Sequence, residues 1–460
     1  MANPKSSLGK LNDEKIKILK IIKAELGTGG EKKLSYRNWA KILHKTQNPT
    51  RRLLLQFQEL GAINITTPPK KGPVPCTFTW LAKGDEILRQ ASESQAIKKS
   101  KGTNKVSKID LLTGVVPLDS NLYVEREADK KSREPVQTVK SMPFIRVKGA
   151  KGMGKSSLLV RLRHFLKTEQ DQIVGFVDLA GDSFEPEAFT NLNQLLEQFT
   201  YAIAQTFSKS VSSLNPPPLK EYWHSSDLTS GLKCADYLHQ HIFSKIKQPK
   251  TLLIDGIDKV LGQKNTQDYF CGMLRTWNET RMKNPIEAPI IWPSIVIAYS
   301  TEPYSEDDVK GSPLNIGIEV ILQEFSPEQL ENLSERYQLE LNPNEINKLY
   351  NLIDGHPALT NSALYFLAQD GKKLSDLDNE ATELNGPFGN HLLHIWEILQ
   401  DHPSLRQCLI KIMKGEKYDN FLKFQLEKAW LVKNDARGAR VRCELYQRFF
   451  DVNNLEGIHG

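Results

Sequence analysis

The chain has 460 residues, with 61 Lys and Arg, 55 Asp and Glu, a net charge of +6 and 39% apolar residues. At about 150 residues per domain, this length predicts two to four domains and excludes a single small module. No stretch approaches the roughly 20 consecutive apolar residues of a membrane helix, and the first residues lack the apolar centre of a signal peptide. The five cysteines are scattered and never form C-x-x-C, so we expect reduced thiols in a soluble, cytoplasmic protein with no membrane contact.

The charge is distributed unevenly along the chain. Residues 1–110 hold 22 Lys and Arg against 9 Asp and Glu, a net charge of +13. The other 350 residues hold 39 against 46, a net charge of −7. This asymmetry predicts two parts of the protein with different tasks.

The first 90 residues show the pattern of a winged-helix domain. Apolar residues at helical spacing predict helices over 12–24, 34–43 and 49–60. Strands are predicted over 62–67 and 77–81, joined by a turn rich in Pro and Lys. Helix, helix, helix and hairpin is the order of a winged helix.

Basic residues lie where such a domain would meet DNA, because its third helix enters the major groove and its flanks and wing touch phosphates. Arg51 and Arg52 belong to the third helix, and Lys70 and Lys71 to the turn. Binding of double-stranded DNA through residues 1–110 is one interpretation, and protein docking by a module with a solvated basic face is the other. Residues 91–110 are rich in Ser and Lys without an apolar period, which predicts a flexible linker.

A G-x-x-x-x-G-K-S motif follows a predicted strand, Met142 to Val147, and precedes a predicted helix. Its glycines let the backbone curl so that consecutive N–H groups face a phosphate, and the helix amino terminus adds partial positive charge. The motif therefore predicts binding of ATP with Mg²⁺, in which Lys155 reaches the β and γ phosphates and the Ser156 hydroxyl is a metal ligand. The predicted nucleotide contacts are Gly149, Gly152, Met153, Gly154, Lys155, Ser156 and Ser157.

A second acidic motif ends the predicted buried strand from Thr251 to Asp255, where a carboxylate can hold Mg²⁺. Asp255 is therefore the predicted Walker B acid. Many hydrolytic P-loop proteins have a Glu next, to polarise the attacking water, but here the next residue is Gly256 and the next acid is Asp258. Either Asp258 acts as the catalytic base from a poorer position, or the protein hydrolyses ATP slowly, as a switch. Gly256 favours the second interpretation, slow hydrolysis by a switch, because glycine has no group that can orient water.

Three more predicted strands, 173–178, 294–299 and 318–322, alternate with helices and complete a doubly wound parallel α/β sheet. Ser300 and Thr301 stand at the tip of the second of them. These hydroxyls are predicted either to sense the γ phosphate or only to end the strand.

Several segments besides the phosphate loop carry a resemblance to known proteins: Val116 to Arg126, Ile254 to Asp258, Pro313 to Gly317, Phe325 to Leu330, Asp354 to Thr360 and Val441 to Phe450. Over about residues 112–452 the sequence resembles the AAA-like domain family of bacterial P-loop ATPases, which is similar to the signal-transduction ATPases with numerous domains (STAND). The resemblance implies a P-loop ATPase core, a helical lid and a small carboxy-terminal winged helix. Together with the winged-helix pattern of the first 90 residues, the expected fold is a multidomain α/β protein, in which a P-loop NTPase sheet with a helical lid lies between two winged helices.

The residue patterns and the resemblance together divide the chain. The expected parts are a winged helix at 1–90, a linker at 91–110, an ATPase core at 111–325, a helical lid at 326–385 and a second winged helix at 386–455. Helical periodicity supports two lid helices, 327–337 and 343–353, and three terminal helices, 389–399, 404–414 and 421–430, before a hairpin. By similarity, Gly355-His356-Pro357 matches a G-x-P element that packs near adenine, so Pro357 is one predicted wall of the site. The segment from Tyr123 to Arg126 is the other predicted wall. Both positions also suit purely structural roles.

Three functions fit these features. The first is an ATP-dependent switch coupled to a DNA-binding winged helix, in regulation or in a conflict or defence system. The second is an ATP-controlled scaffold whose winged helices dock proteins and which forms a nucleotide-dependent homo-oligomer. The third is a DNA-remodelling or transposition ATPase, and Gly256 counts against it.

Overall fold

The structure, a computed structural model, describes residues 13–27, 30–43, 50, 53–55, 57–58, 62–66, 76–85, 88, 114–138, 144–263, 265–283, 291–302, 314–369, 371–436 and 438–453. The chain divides into two compact units, Met1–Lys108 and Ile109–Gly460, and the boundary falls within the predicted linker. The linker itself and the predicted DNA contacts Arg51, Arg52, Lys70 and Lys71 lie outside the described residues.

The amino-terminal unit packs helices against a three-stranded antiparallel sheet. Its described elements are α1 Asp13–Leu26, β1 Glu31–Leu34, α2 Tyr36–Ile42, β2 Ile63–Thr66 and β3 Cys76–Trp80. Strand β3 lies between β1 and β2. Residues 53–55 and 57–58, within the predicted third helix, are helical. The buried rings of Trp39 and Phe78 meet edge to face in the core, with centroids 5.4 Å apart.

Strand β1 was not predicted, and the expected start of a helix at Leu34 is wrong. Three of the four residues in β1 are charged and exposed, so the strand lacks the apolar alternation by which strands are recognised. It is held by pairing with β3, some 45 residues later in the chain. The helix begins at Tyr36 because Ser35 is its N-cap, with Oγ accepting the Asn38 N–H at 3.1 Å.

The first part of the carboxy-terminal unit alternates helices and strands. Its elements are α3 Glu127–Thr138, β4 Ile145–Gly149, α4 Lys155–Thr168, β5 Ile173–Asp178, α5 Leu192–Ser210, α6 Leu219–Ser225, α7 Ser230–His241, β6 Lys250–Asp255, α8 Gln267–Lys283, β7 Ser294–Ser300 and β8 Ile318–Ile321. The five strands form one parallel sheet in the order β5-β6-β7-β4-β8. This confirms the predicted P-loop α/β fold.

The two central strands explain why the sheet was predictable. Every residue of β6 and of β7 is buried, because each strand has neighbours on both sides and is covered on both faces. Leu253 faces one hydrophobic core, and its neighbours Leu252 and Ile254 face the other. Because parallel strands end at the same edge, Gly149 stands opposite Ser300 there, and Asp178 stands opposite Asp255.

The rest of the unit is mainly helical. Its elements are α9 Pro327–Arg336, α10 Pro343–Ile353, α11 Pro357–Leu367, α12 Leu374–Glu380, α13 Gly389–Asp401, α14 Pro403–Lys414, α15 Asn420–Lys428, β9 Val432–Asp435, β10 Gly438–Val441 and α16 Glu444–Asn453. The predicted helices and the hairpin are confirmed to within two residues, whereas for α11 only the preceding turn was expected. Residues from the sheet, the lid and the terminal helices share one core, as Val147, Leu330 and Leu392 illustrate. No helix in the described ranges is long and apolar enough to cross a membrane.

Candidate nucleotide site

The phosphate loop connects β4 to α4 and turns on two glycines. Gly152 and Gly154 have φ of 80° and 90°, in the left-handed region that glycine tolerates best. Gly154 is the N-cap of α4, and Lys155 is the first helical residue. The Lys155 ammonium donates to the carbonyl oxygens of Gly149 and Ala150 at 2.8 and 2.9 Å, so its side chain folds back over the loop.

Carboxylates around Lys155 partly offset the effect of its burial. Burial lowers the pKa of Lys155, and the nearby carboxylates of Asp258, Glu302 and Asp255 oppose that shift. The ammonium therefore lies near three carboxylates at the carboxyl edge of the sheet. This is the place where a bound phosphate would add further negative charge.

The predicted metal ligands meet in the structure. Asp255 ends β6, and its carboxylate accepts the Gly256 N–H at 3.0 Å and lies near the Ser156 hydroxyl. Burial raises the pKa of Asp255, Asp178 adds to that effect, and the neighbouring Ser156 hydroxyl opposes it. A hydroxyl and a carboxylate brought together beside a phosphate loop are hard oxygen donors of the kind that Mg²⁺ prefers, so the residues present fit this ion.

The residues after Asp255 show why its neighbour is glycine. Gly256 has φ of 74°, and a Cβ there would lie 3.1 Å from the Ala180 nitrogen. Asp258 follows in a short 3-10 turn, and its Oδ1 accepts the Ser300 N–H at 3.1 Å. Asp258 therefore bridges β6 to the tip of β7 beside Lys155.

The tip of β7 also contacts the terminal helices. The Thr301 hydroxyl donates to the Lys428 carbonyl at 2.6 Å. The Glu302 carboxylate accepts the Lys151 N–H of the phosphate loop at 3.1 Å through Oε1, and it lies 3.0 Å from His394 Nε2 through Oε2. The role of Ser300 or Thr301 as a phosphate sensor stays a prediction.

The lid reaches the phosphate loop through His356, the middle residue of the G-x-P element. Its Nε2 lies 3.0 Å from the Lys151 carbonyl, and its Nδ1 accepts the Leu359 N–H at 3.4 Å as the N-cap of α11. Burial lowers the pKa of His356 to about 3, so the ring is neutral. A Cβ on Gly152 would meet His356 Cε1 at 2.7 Å, which shows how closely lid and loop are packed.

Arg126 ties the loop to the connection between β8 and the lid. It is buried, and Nη1 donates to the carbonyls of Met153 at 2.9 Å and Gln323 at 3.0 Å. Its guanidinium also lies over the Phe325 ring, 5.5 Å from the centroid. Burial lowers the pKa of Arg126, but the group remains a cation against the loop.

The segment before α3 is fastened to the phosphate helix and to the lid. The Ser157 hydroxyl accepts the Val116 N–H at 3.0 Å, so this predicted nucleotide contact already serves the segment. The Tyr123 hydroxyl donates to Asp129 at 2.5 Å, and Arg161 covers the Tyr123 ring at 3.5 Å from its centroid. On the lid side, Arg336 donates to the carbonyl of Tyr123 at 2.8 Å.

Pro357, the other predicted wall, is the first residue of α11 and is buried. The preceding Gly355 has φ of 67°, and a Cβ there would lie 2.2 Å from the Phe325 carbonyl oxygen. The turn therefore requires glycine for packing. Whether Pro357 and Tyr123 contact a base stays a prediction.

Arg126, His356 and Glu302 were not predicted as individual site residues. Arg126 was included only as part of a wall, and His356 only as the variable position of the G-x-P element. Glu302 follows a predicted strand by three residues, which was the one signal available. Their roles depend on contacts across 27 to 205 positions of sequence, which no local pattern contains.

The sequence model of the AAA-like domain family matches residues 111–452, which is more than half of the chain. The chain belongs to this family. The matched range begins after the predicted linker and includes the sheet, the lid and the terminal helices. Comparison with curated protein sequences finds no match.

Solved structures resemble this AAA-like protein in fold. The Walker-type ATPase PABY2304 of Pyrococcus abyssi matches with a TM-score of 0.52 and 17% identity, over 74% of this chain and 99% of that one. The ORC2 protein of Aeropyrum pernix, with ADPNP and ADP, matches with a TM-score of 0.45 and 12% identity, over 72% of this chain and 92% of that one. The STAND protein PH0952 of Pyrococcus horikoshii matches with a TM-score of 0.31 and 16% identity, over 73% of this chain and 44% of that one. The similarity to the Pyrococcus abyssi ATPase supports the P-loop α/β fold described above.

Proposed function

We propose that this AAA-like protein is an ATP-binding switch that hydrolyses ATP slowly. The observation that carries the proposal is the meeting of Lys155, Ser156 and Asp255 at the end of the phosphate loop. Loop N–H groups and Lys155 would hold the phosphates, and Ser156 and Asp255 would hold Mg²⁺. When bound, Mg²⁺ neutralises charge on the β and γ phosphate oxygens.

Slow hydrolysis is proposed from the chemistry at Gly256 and Asp258. Glycine offers no side chain to orient water, and the positive φ at this position disfavours any other residue. The Asp258 carboxylate is engaged by the Ser300 N–H. Neither residue therefore supplies a free base at the usual place.

Nucleotide binding is tested with Lys155→Ala and with Lys167→Ala, which changes an exposed lysine on the same helix. A fluorescent ATP analogue should bind the native protein with Mg²⁺ and bind Lys155→Ala at least about 100-fold more weakly, because the loss of a charged phosphate contact costs several kcal/mol. Lys167→Ala should match the native protein. Unchanged affinity in Lys155→Ala would refute the proposed site.

The proposed output of the switch is DNA binding by a winged helix within residues 1–90, in regulation or defence. The +13 charge of residues 1–110 supports this, and so does the order of the described helices and strands there. Four Gln substitutions at Arg51, Arg52, Lys70 and Lys71 should lower duplex affinity and reduce the salt slope by about 0.9 for each phosphate that the protein no longer neutralises. Four Gln substitutions at Lys98, Lys99, Lys101 and Lys105 change the charge equally and should have a smaller effect. Equal effects would mean that the linker, rather than the domain, attracts DNA.

A scaffold function for residues 386–455 is the second candidate, and the surface of α15 favours it. Phe421 and Phe424 are 36% and 48% exposed, and Lys428 lies over the Phe424 ring at 4.5 Å. In a winged helix this third helix is the one that docks, and an aromatic surface suits a protein better than phosphate. If the partner is a second copy, light scattering with ADP and with a slowly hydrolysed ATP analogue should show a nucleotide-dependent oligomer, and Phe421→Ser with Phe424→Ser should abolish it. A chain that stays monomeric with both nucleotides would exclude self-assembly.

A further inference from the structure

Glu302 connects the phosphate loop to the terminal helices through a single carboxylate. It follows β7 by two residues, and its side chain is only 14% exposed. One oxygen accepts the Lys151 N–H at 3.1 Å, and the other lies 3.0 Å from Nε2 of His394 on α13. A carboxylate accepts hydrogen bonds, so the imidazole donates. Loop and α13 thus share one buried anion.

The electrostatic surroundings keep this carboxylate charged. Burial opposes its ionisation, but the hydrogen bond from His394, the Lys151 N–H and the charge of Lys155 together hold the pKa of Glu302 below its ordinary value. Lys155 in turn has Asp258 and Glu302 as its foremost stabilising carboxylates. Glu302 therefore lies within the field of the cation that a P-loop uses for the β and γ phosphates.

A second contact links the neighbouring residue to the same part of the chain. The Thr301 hydroxyl donates to the carbonyl of Lys428 at the end of α15. The tip of β7 is therefore joined to α13 by Glu302 and to α15 by Thr301. A shift of this tip would act on both helices.

We infer that Glu302 makes the site sensitive to the third phosphate, because its carboxylate and a γ phosphate compete for the Lys151 N–H and for Lys155, and that losing this competition releases His394 and α13. The inference rests on the proposed binding of ATP. Two anions that share these donors repel each other in a partly buried site. A diphosphate adds less charge there and leaves the bridge from Glu302 to His394 in place.

Glu302→Gln tests the charge while keeping the shape and an acceptor oxygen for the Lys151 N–H. Affinities for ADP and for the slowly hydrolysed analogue ATPγS are measured on the full chain with Mg²⁺. In Glu302→Gln the ratio of ATPγS to ADP affinity should rise about tenfold, since the repulsion that selects against a triphosphate is removed. Glu416→Gln, at an exposed acid after α14, should leave the ratio unchanged.

Hydrogen exchange of residues 389–401 tests the release of α13. In the native protein this helix should exchange at least about tenfold faster with ATPγS than with ADP, because release allows more frequent opening. In His394→Ala the exchange should be fast with either nucleotide. A purely structural role of His394 would instead speed exchange by the same factor with each nucleotide and preserve the difference between them.

The outcomes separate this inference from the proposed function. If the native protein binds neither nucleotide, both are wrong. If both nucleotides bind, but the affinity ratio in Glu302→Gln stays within twofold of native or α13 exchanges equally with ADP and ATPγS, only the inference about Glu302 is overturned.

Discussion

His356 donates a hydrogen bond from Nε2 to the carbonyl of Lys151, 3.0 Å away, and so joins the lid to the phosphate loop. Its other ring nitrogen accepts the Leu359 N–H and caps α11. The ring also meets Trp430 edge to face, with centroids 4.6 Å apart. This one neutral side chain thus donates a hydrogen bond to the phosphate loop, caps the first turn of α11 and packs against Trp430, which follows α15.

Replacing His356 by Ala should destabilise the carboxy-terminal unit. The change removes a fully buried ring and leaves the Lys151 carbonyl and the Leu359 N–H without this partner. We expect a loss of about 2–4 kcal/mol in the free energy of unfolding, measured by urea titration. His164→Ala, at an exposed histidine on α4, should change it by less than about 0.5 kcal/mol. A loss below about 1 kcal/mol in His356→Ala would show that the bridge contributes little.

Acid should destabilise the native protein through two buried histidines. Burial lowers the pKa of His356 to about 3 and holds the pKa of His391 well below its usual value. Below about pH 6.5 the unfolded chain takes up protons that these folded rings refuse, so stability is complete above pH 6.5 and falls as the pH drops toward 3. His356 should cost about 2 kcal/mol between pH 6.5 and pH 5, and His391 acts in the same direction.

Urea titrations between pH 5 and pH 8 check this dependence. His356→Gln should flatten the decline by about 2 kcal/mol between pH 6.5 and pH 5, since the contribution of this histidine is removed. The same slope in His356→Gln and in native protein would mean that other groups cause the acid sensitivity.

The tight contact between Gly152 and the lid should make this position intolerant of a side chain. Gly152 and Gly371 have similar positive φ, 80° and 78°, so Ala costs about 1–2 kcal/mol of backbone strain at either position. At Gly371 a Cβ meets nothing within 4 Å, whereas at Gly152 it meets His356 Cε1 at 2.7 Å and Ala358 Cβ at 2.8 Å. Gly152→Ala should therefore destabilise the protein by about 1–3 kcal/mol more than Gly371→Ala. If urea titrations gave equal losses of unfolding free energy for the two variants, the lid residues would have moved away from the new Cβ at little cost.

A glutamate at position 256 should not create a fast ATPase. Gly256 has φ of 74°, and its Cβ would lie close to the Ala180 nitrogen, so Gly256→Glu should cost about 1–3 kcal/mol of stability. Gly272→Ala, in helix α8 with open space for a Cβ, should instead stabilise by about 0.5–1 kcal/mol. Phosphate release by Gly256→Glu should not exceed that of native protein. A rise of tenfold or more would show that only the missing carboxylate limits hydrolysis.

The sequence predicted those parts of the fold and site that depend on local pattern. Strands such as 250–255 contain an apolar run, here Leu252 to Ile254, and the loop around Lys155 has a fixed spacing, so both were found. Strand β1 was missed because three of its four residues are charged and exposed, so it shows no apolar alternation, and it forms by pairing with the distant β3. Glu302 and His356 were missed as site residues because burial and long-range hydrogen bonds, rather than spacing, give them their roles.

Asp258 provides the most direct test of slow hydrolysis. Its Oδ1 accepts the Ser300 N–H at 3.1 Å, and its charge supports the Lys155 ammonium, so its carboxylate is already engaged. Asp258→Asn keeps an acceptor oxygen and removes the charge. Because a positioned general base contributes about 100-fold to 10,000-fold, a change in turnover of less than about threefold is expected if Asp258 serves only the structure. Asp182→Asn, at an exposed acid after β5, is the charge-matched control. A loss of 100-fold in Asp258→Asn with unchanged ATP affinity would instead identify Asp258 as the base that replaces the missing glutamate.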